Sequence, residues 1–438
     1  MGVIENIWWL LVLIGIMILI HELGHYWAAR MFDVKVEAFS FGFGPRLFGF
    51  RKGETDFRFS LILFGGYVKM AGEQVGDEAA ADPRSFLAKP RWQRLIIAFA
   101  GPFMNIVLAV VLVTGLFSVQ FPKVPVTPSP TIGFLTTDGA AAKAGIKEGD
   151  RILAINDVRN PTWDDIALKE VGGAKSPLSV LIEHPDKSQQ VITVTPTLDE
   201  KNGVGVAGWA EQMTVQIARV SPGMEAERLG LKKGDVIVSA NGVSIRHTLK
   251  LHEVMKASEG RPVEIVYLRD GKQASVTAKP TEQEVDGQKR WLIGVLLESP
   301  VTLVALPLPD AFRESIRANT RNAGLIVSFL KGIVERRMSA KSLEGPIRIA
   351  QISKEAAREG PSTFISLMAM VSLNLAIFNL LPIPILDGGV ILLLLIEMLM
   401  RRDLSLAVKE AVFKVGFVFL MMVVVFVLYN DITKILPG

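Results

Sequence analysis

In the run ILIHELGHYW, residues 18–27, two histidines and a glutamate fall within five residues of an otherwise apolar stretch. On an α-helix His21 and His25 are one turn apart on the same face. Both imidazoles can therefore reach one metal ion while Glu22 addresses a water beside it. A bound zinc acidifies such a water and polarises a carbonyl, and the glutamate takes the proton as general base. The pattern also occurs by chance in soluble helices, where the histidines merely pack. Inside a membrane unpaired His and Glu are costly, so their presence there points to function.

A site of this kind needs a third protein ligand. Far downstream the run NLAIFNLLPIPILDGG, residues 374–389, carries Asp387 at the end of an apolar segment. Counted from Ile7, His21 lies about 21 Å along its helix, in the far third of a ~30 Å hydrocarbon layer. Asp387 lies near the same end of its own span, so the two ligand sets arrive at similar depth. Pro382 and Pro384 break the helix just before it, and irregular backbone is tolerated there only where protein or a water-filled cavity surrounds it. The competing reading of Asp387 is a helix cap or a partner for Arg401 or Arg402. Asn374 and Asn379, about 140° apart on an ideal helix, can stabilise an oxyanion, hold an extended substrate, or tie helices together.

The elements that must position these groups are membrane helices. The chain has 438 residues, half of them hydrophobic, and a mean hydropathy of +0.35, which suits a membrane protein with a soluble insert. Four candidate spans run over 7–32, 95–119, 363–386 and 412–429, with 390–400 read as a half-helix. The N-terminal span lacks the basic start and small-residue cleavage site of a signal peptide and is read as retained. A net charge of +4 without a basic tract gives no support to nucleic-acid binding. The absence of Cys removes disulfides, thiolate catalysis and Cys-ligated metal. Residues 32–94 contain ten Lys and Arg while residues 1–6 contain none, so both termini and the insert 120–361 are expected on the outer face.

The insert repeats. AGIKEGDRILAIND from Ala144 returns 85 residues later as LGLKKGDVIVSANG from Leu229, aligning Asp150 with Asp235 and Asn156 with Asn241. Each copy reads as a Gly-Asp turn, a strand, an Asn turn and a helix. The pattern resembles the PDZ domain, with TIGFL (131–135) and IARV (217–220) as candidate strands beside a peptide groove. The competing reading is a pair of spacers that bind nothing. His184, His247 and His252 have no ligand spacing and are read as ordinary surface or core residues.

Residues 33–94 alternate around the turn RKGE, as in FRFSL, and are read as β-hairpins at the inner membrane surface. A helical substrate must unwind to be cut, and an edge strand including Gly65, Gly66 and Tyr67 could supply backbone partners to the unwound segment. A reentrant plug is the alternative. Residues 309–361 are expected to form an amphipathic helix lying along the outer face.

HELGH in the first span, GPFMN at 101–105, tandem PDZ-like domains and NLLPIPILDGG at 379–389 together resemble the site-2 protease family of intramembrane zinc metalloproteases, over essentially the whole chain. The resemblance implies a polytopic α-helical protein of the bacterial inner membrane: four transmembrane helices with a membrane-associated β-hairpin region, and two periplasmic PDZ-like α+β domains. It implies His21, His25 and Asp387 as ligands of Zn2+, Glu22 as base, and Asn374 and Asn379 as substrate or oxyanion contacts. The expected organisation is 1–32 first transmembrane helix, 33–94 hairpin region, 95–119 second helix, and 120–210 and 211–300 PDZ-like domains. There follow 301–361 interfacial segment, 362–389 third helix, 390–411 half-helix and link, and 412–438 fourth helix and tail. Expected partners are membrane lipid and single-span membrane proteins, an anti-sigma factor and remnant signal peptides among them, with the PDZ domains filtering by size. No nucleic acid and no obligate oligomer is inferred. A membrane-tethered PDZ scaffold that binds exposed C-termini is the alternative function.

Overall fold

The structure, a computed structural model, describes residues 2–73, 82–123, 130–199, 203–285, 288–300, 302–338 and 345–435. It divides into two compact units, Met1–Gln120 with Ala305–Ile326 and Lys341–Gly438, and Phe121–Val304 with Val327–Ala340.

The first unit is built from α1 (Gly2–Met31), β1 (Val36–Lys52), β2 (Thr55–Met70), α2 (Arg91–Val119), the part of α3 (Leu308–Val334) up to Ile326, α4 (Pro346–Glu359), α5 (Pro361–Asn379), α6 (Asp387–Met400) and α7 (Leu406–Ile435). Among the described residues, four helices are long and apolar enough to cross a membrane: α1, α2, α5 and α7. Lipid tails are as apolar as leucine, so such helices associate through close packing rather than hydrophobic burial. Gly24 of α1 lies against the Ala100 carbonyl of α2, where a Cβ would not fit. Leu13 and Met17 of α1 are buried against Phe364, Leu367 and Met368 of α5. The Ser372 hydroxyl of α5 donates to the Asn105 carbonyl of α2 at 2.8 Å.

β1 and β2 fold into one small sheet. Residues 36–41 of β1 lie between two parts of β2, 66–70 on one side and 56–59 on the other, and residues 46–52 pair with 55–60. Residues 66–70 are thus an outer strand with one paired edge. The turn is anchored at Glu54, which accepts from Arg30 at 2.6 Å and from Arg84. Val36, Phe39, Val68 and Met70 form a core with Ala29 of α1 and Ile97 of α2, which fixes the sheet beside the helices.

Two expectations for this unit are corrected. The third span does not run through 389: α5 stops at Asn379, and 380–386 are irregular before α6 begins at Asp387. Pro382 and Pro384 bring no N–H to a helix ladder, and the chain resumes helix only beyond them. The segment 301–361 is not one helix but two, α3 and α4. The Leu306 N–H donates to the Phe117 carbonyl and the Ser315 hydroxyl to the Val110 carbonyl, so α3 starts antiparallel beside α2, while α4 packs Ala356 against α1. Phe312, Ile316 and Val327 of α3 and Ile347 of α4 remain exposed.

The second unit holds the two repeats, both PDZ-like. The first has strands Arg151–Ile155, Leu178–Glu183 and Gln189–Val194 with helix Trp163–Gly172, started by a reciprocal capping box between Thr162 and Asp165. The second has Val215–Val220, Val236–Ala240, Val263–Arg269 and Lys272–Ala278 with helix Thr248–Ser258. The repeated motif has a structural cause. Asp150 and Asp235 accept from the Lys147 and Lys232 amides at 2.8 Å, and left-handed Asn156 and Asn241 accept from Ser179 and Glu264. In the second copy residues 215–217 are bonded to 234–237 on one side, and 216–220 pair with Val295–Glu298 on the other. In the first copy Ile132–Leu135 is paired by Trp209–Glu211. The edge strand of each copy comes from its C-terminal end, which the repeated motif does not include.

Candidate metal centre and its cavity

His21 and His25 on α1 meet Asp387, the first residue of α6. His21 Nε2 is 3.1 Å from Asp387 Oδ2, His25 Nε2 is 3.4 Å from Asp387 Oδ1, and the two Nε2 atoms are 3.2 Å apart. Ligands of a tetrahedral zinc lie roughly 3.3–3.6 Å from one another, so the donor set fits that ion. Among the described residues this is also the group of His and acidic side chains close enough to hold a metal. The alternative partners of Asp387, Arg401 and Arg402, lie beyond the opposite end of α6.

The imidazoles are oriented from behind. His25 Nδ1 donates to the Ile97 carbonyl at 2.8 Å, which leaves Nε2 free to ligate. The Asn105 carboxamide lies 3.3 Å from His21 Nδ1. In the tautomer that frees His21 Nε2, Nδ1 donates, and the carboxamide meets it through oxygen after a half-turn. That turn also gives a partner to Asn105 Oδ1, otherwise buried without one. Gly101 lets α2 approach: a Cβ there would overlap both His25 Nε2 and His21 Nε2. Pro102 has no N–H for the Ala98 carbonyl, and Ala98 lines the cavity.

The cavity beside the triad has a volume of about 360 Å³, and Glu22, Gly66, Tyr67, Asn379 and Leu386 are among its walls. Gly66 is backed by Glu22, whose Cγ would lie 3.0 Å from a Cβ at that position. The structure thus brings His21, Glu22, His25, Asp387, Asn379, Gly66 and Tyr67 to one cavity. It does not bring Asn374, whose Oδ1 is buried without a described partner, or Gly65, which packs against the Phe43 ring. Ile385, another wall, sits at φ +91°, a strained value for a β-branched residue, just ahead of the ligand it precedes by two positions. Asn105, Gly101 and Ile385 were not singled out as site residues by spacing. The sequence signal for the first two was the motif GPFMN, whose ends they are, which served there as a mark of the family rather than as part of the site.

A two-helix metal site with its own cavity, held among membrane helices, defines the class of membrane-embedded metallopeptidases. The model of peptidase family M50 matches residues 9–423, and the chain belongs to that family, the zinc metalloproteases of the site-2 protease group. It is 33% identical over 454 aligned positions to a putative zinc metalloprotease of Xylella fastidiosa, covering 98% of this chain and 99% of the relative. It is 31% identical to the protease RseP of Yersinia pestis, with 97% and 98% covered. It is 28% identical to the regulator of sigma-E protease RseP of Salmonella typhimurium, with 99% and 100% covered.

Proposed function

We propose that this multi-pass zinc metalloprotease cuts single-span membrane proteins within the membrane, near its cytoplasmic face, after a first cut outside has removed their outer domains. The observation that carries the reading is the metal triad and Glu22 facing a cavity whose wall is the outer strand 66–70. Its depth fits: His25 bonds Ile97, six residues along α2 from Arg91, hence about 9 Å from that end. That end also carries Arg94, Arg401 and Arg402, which the positive-inside rule assigns to the cytoplasm. Both termini and the PDZ-like domains are then periplasmic.

Bound zinc would be held by His21, His25 and Asp387 and would supply Lewis acidity to the scissile carbonyl and to the attacking water. Glu22 takes the proton of that water and passes it to the leaving nitrogen. The free edge of 66–70 pairs with the unwound substrate backbone, replacing the helix hydrogen bonds it gave up, and Gly66 keeps that strand close to Glu22. The Asn379 carboxamide donates to the oxygen that gains charge. An anti-sigma factor and remnant signal peptides are the substrates this relationship suggests, with the PDZ-like domains excluding bulky outer domains.

The test compares purified protein with its Glu22→Gln variant on a single-span protein lacking its outer domain, products read by mass spectrometry. Cleavage inside the span by the unsubstituted protein alone is expected, with a loss of about 10²-fold or more in the variant. Equal product from both would overturn the assignment of the base, and an uncut span in both with zinc bound would favour the tethered scaffold.

A further inference from the structure

A second cavity, of about 720 Å³, adjoins the metal cavity; the two share Tyr67, Val68, Glu73, Phe86 and Val390 as walls. Strand 66–70 therefore borders both, and a segment paired to its free edge would run from the metal into the second cavity. The far walls include Arg94 near the start of α2, Glu397 late in α6 and Lys409 early in α7, the end of the bundle that carries the basic residues.

The charges in this second cavity mostly cancel among themselves. Lys409 pairs with Glu397 at 2.6 Å, Arg94 lies 3.5 Å from Asp403 and 4.0 Å from Glu397, Lys69 pairs with Glu37 at 2.8 Å, and Glu410 lies 3.6 Å from Lys414. Glu73 is different. One of its oxygens accepts from the Met70 amide at 3.3 Å, but among the described residues no Lys or Arg is ion-paired with it, and residues 74–81 contain neither. The residue is solvent-accessible, yet crowding of its carboxyl outweighs the Met70 amide and the attraction of His25 and Lys69 and raises it above the usual carboxylate range. It stands where the two cavities join, open to both.

We propose that the second cavity is the subsite for the stretch of substrate on the cytoplasmic side of the cut, and that Glu73 selects a lysine or arginine there. Single-span proteins carry such residues at the cytoplasmic end of their spans. A cation entering from the substrate gives Glu73 an ion-pair partner that no described Lys or Arg supplies, and the contact is charge-assisted. Glu73 thereby fixes which peptide bond arrives at the metal, since a strand advances about 3.3 Å per residue. This rests on the reading of the metal site as the cleavage centre.

The experiment uses the full chain in proteoliposomes and a single-span protein without its outer domain. One lysine is moved through the positions on the cytoplasmic side of the cut, with glutamine and glutamate counterparts at each. The unsubstituted protein is expected to prefer lysine over glutamine by roughly tenfold in kcat/KM at one or two adjacent positions, mainly through KM. In Glu73→Gln that ratio falls to about one, and in Glu73→Lys the preference turns to glutamate at the same position. Reading ratios within each variant separates recognition from any general loss of activity or folding. A ratio near one at every position, or a lysine preference that survives both variants, overturns the subsite. Glu22→Gln run alongside tells the two readings apart. If it is inactive while the lysine preference persists in Glu73→Gln, only the subsite fails; if it cuts as fast as the unsubstituted protein, the metal reading fails and the subsite with it.

Discussion

His25 has both ring nitrogens committed, one to the Ile97 carbonyl and one toward His21 and Asp387. The metal site is therefore as rigid as the contact between α1 and α2, and that contact depends on Gly101. A methyl group there points at the two Nε2 atoms, and neither imidazole can retreat without breaking the bond behind it. Gly101→Ala is accordingly expected to lower zinc affinity by roughly tenfold or more, with helix content unchanged. Metal content by mass spectrometry against circular dichroism checks it; full zinc occupancy in the variant would show that the helices separate freely.

Among the elements, the two PDZ-like repeats solve one problem in two ways. Asp150 and Asp235 are each almost fully buried and each closes the turn before a strand. Thirty-four residues on, the first meets His184 Nδ1 at 2.7 Å and the second meets Arg269 at 2.7 Å. The bond to Asp150, with smaller contributions from Gln190 and Asp186, raises the His184 imidazole above its ordinary range. A raised folded-state pKa means that the pair's stabilisation is complete below about pH 6.5, the unfolded imidazole's value, and is lost as pH rises through the folded one. Arg269 stays charged throughout. Hydrogen exchange in the intact protein should therefore show protection of the Lys147 amide falling as pH rises above about 6.5 while that of Lys232 holds, and His184→Arg should abolish the difference. Equal pH dependence of the two amides would mean that the histidine does not support its turn.

At the scale of the whole molecule, the second unit takes the repeat segment Phe121–Val304 and the later stretch Val327–Ala340. Strands Phe121–Lys123 and Thr302–Val304 pair with each other, so the chain leaves and rejoins the helical unit on neighbouring strands about 4.8 Å apart. Removing 125–295 and closing the gap with a short Gly/Ser linker is thus expected to leave the helical unit folded. Hydrolysis of a substrate without its outer domain should persist, and full-length substrates should now be cut as well. Unchanged rejection of full-length substrates would rule out a size filter. The fourth span fits the same organisation: only 6% of its most apolar window is buried, and it is fastened near its ends, where Lys409 pairs with Glu397 and Asp431 accepts from the Gly345 and Ile347 amides.

The sequence alone determined the four apolar spans, the two repeats and the pairing of His21 with His25, because these depend on local periodicity: 3.6 residues per turn, the length of a span, a motif returning after 85 residues. It also flagged Asp387, since an acid in an apolar run is conspicuous wherever the chain takes it. Only the tertiary structure decided which groups share the cavity. Asn374 and Asn379 look alike in sequence, yet of the two only Asn379 lines the cavity, because the helix ends there and the irregular 380–386 follows. Strand 66–70 became the open edge because β1 is already flanked on both sides. Asn105 and Gly101 meet the histidines through contacts between segments far apart in the chain. Such contacts are set by how helices and strands pack, which no local pattern records.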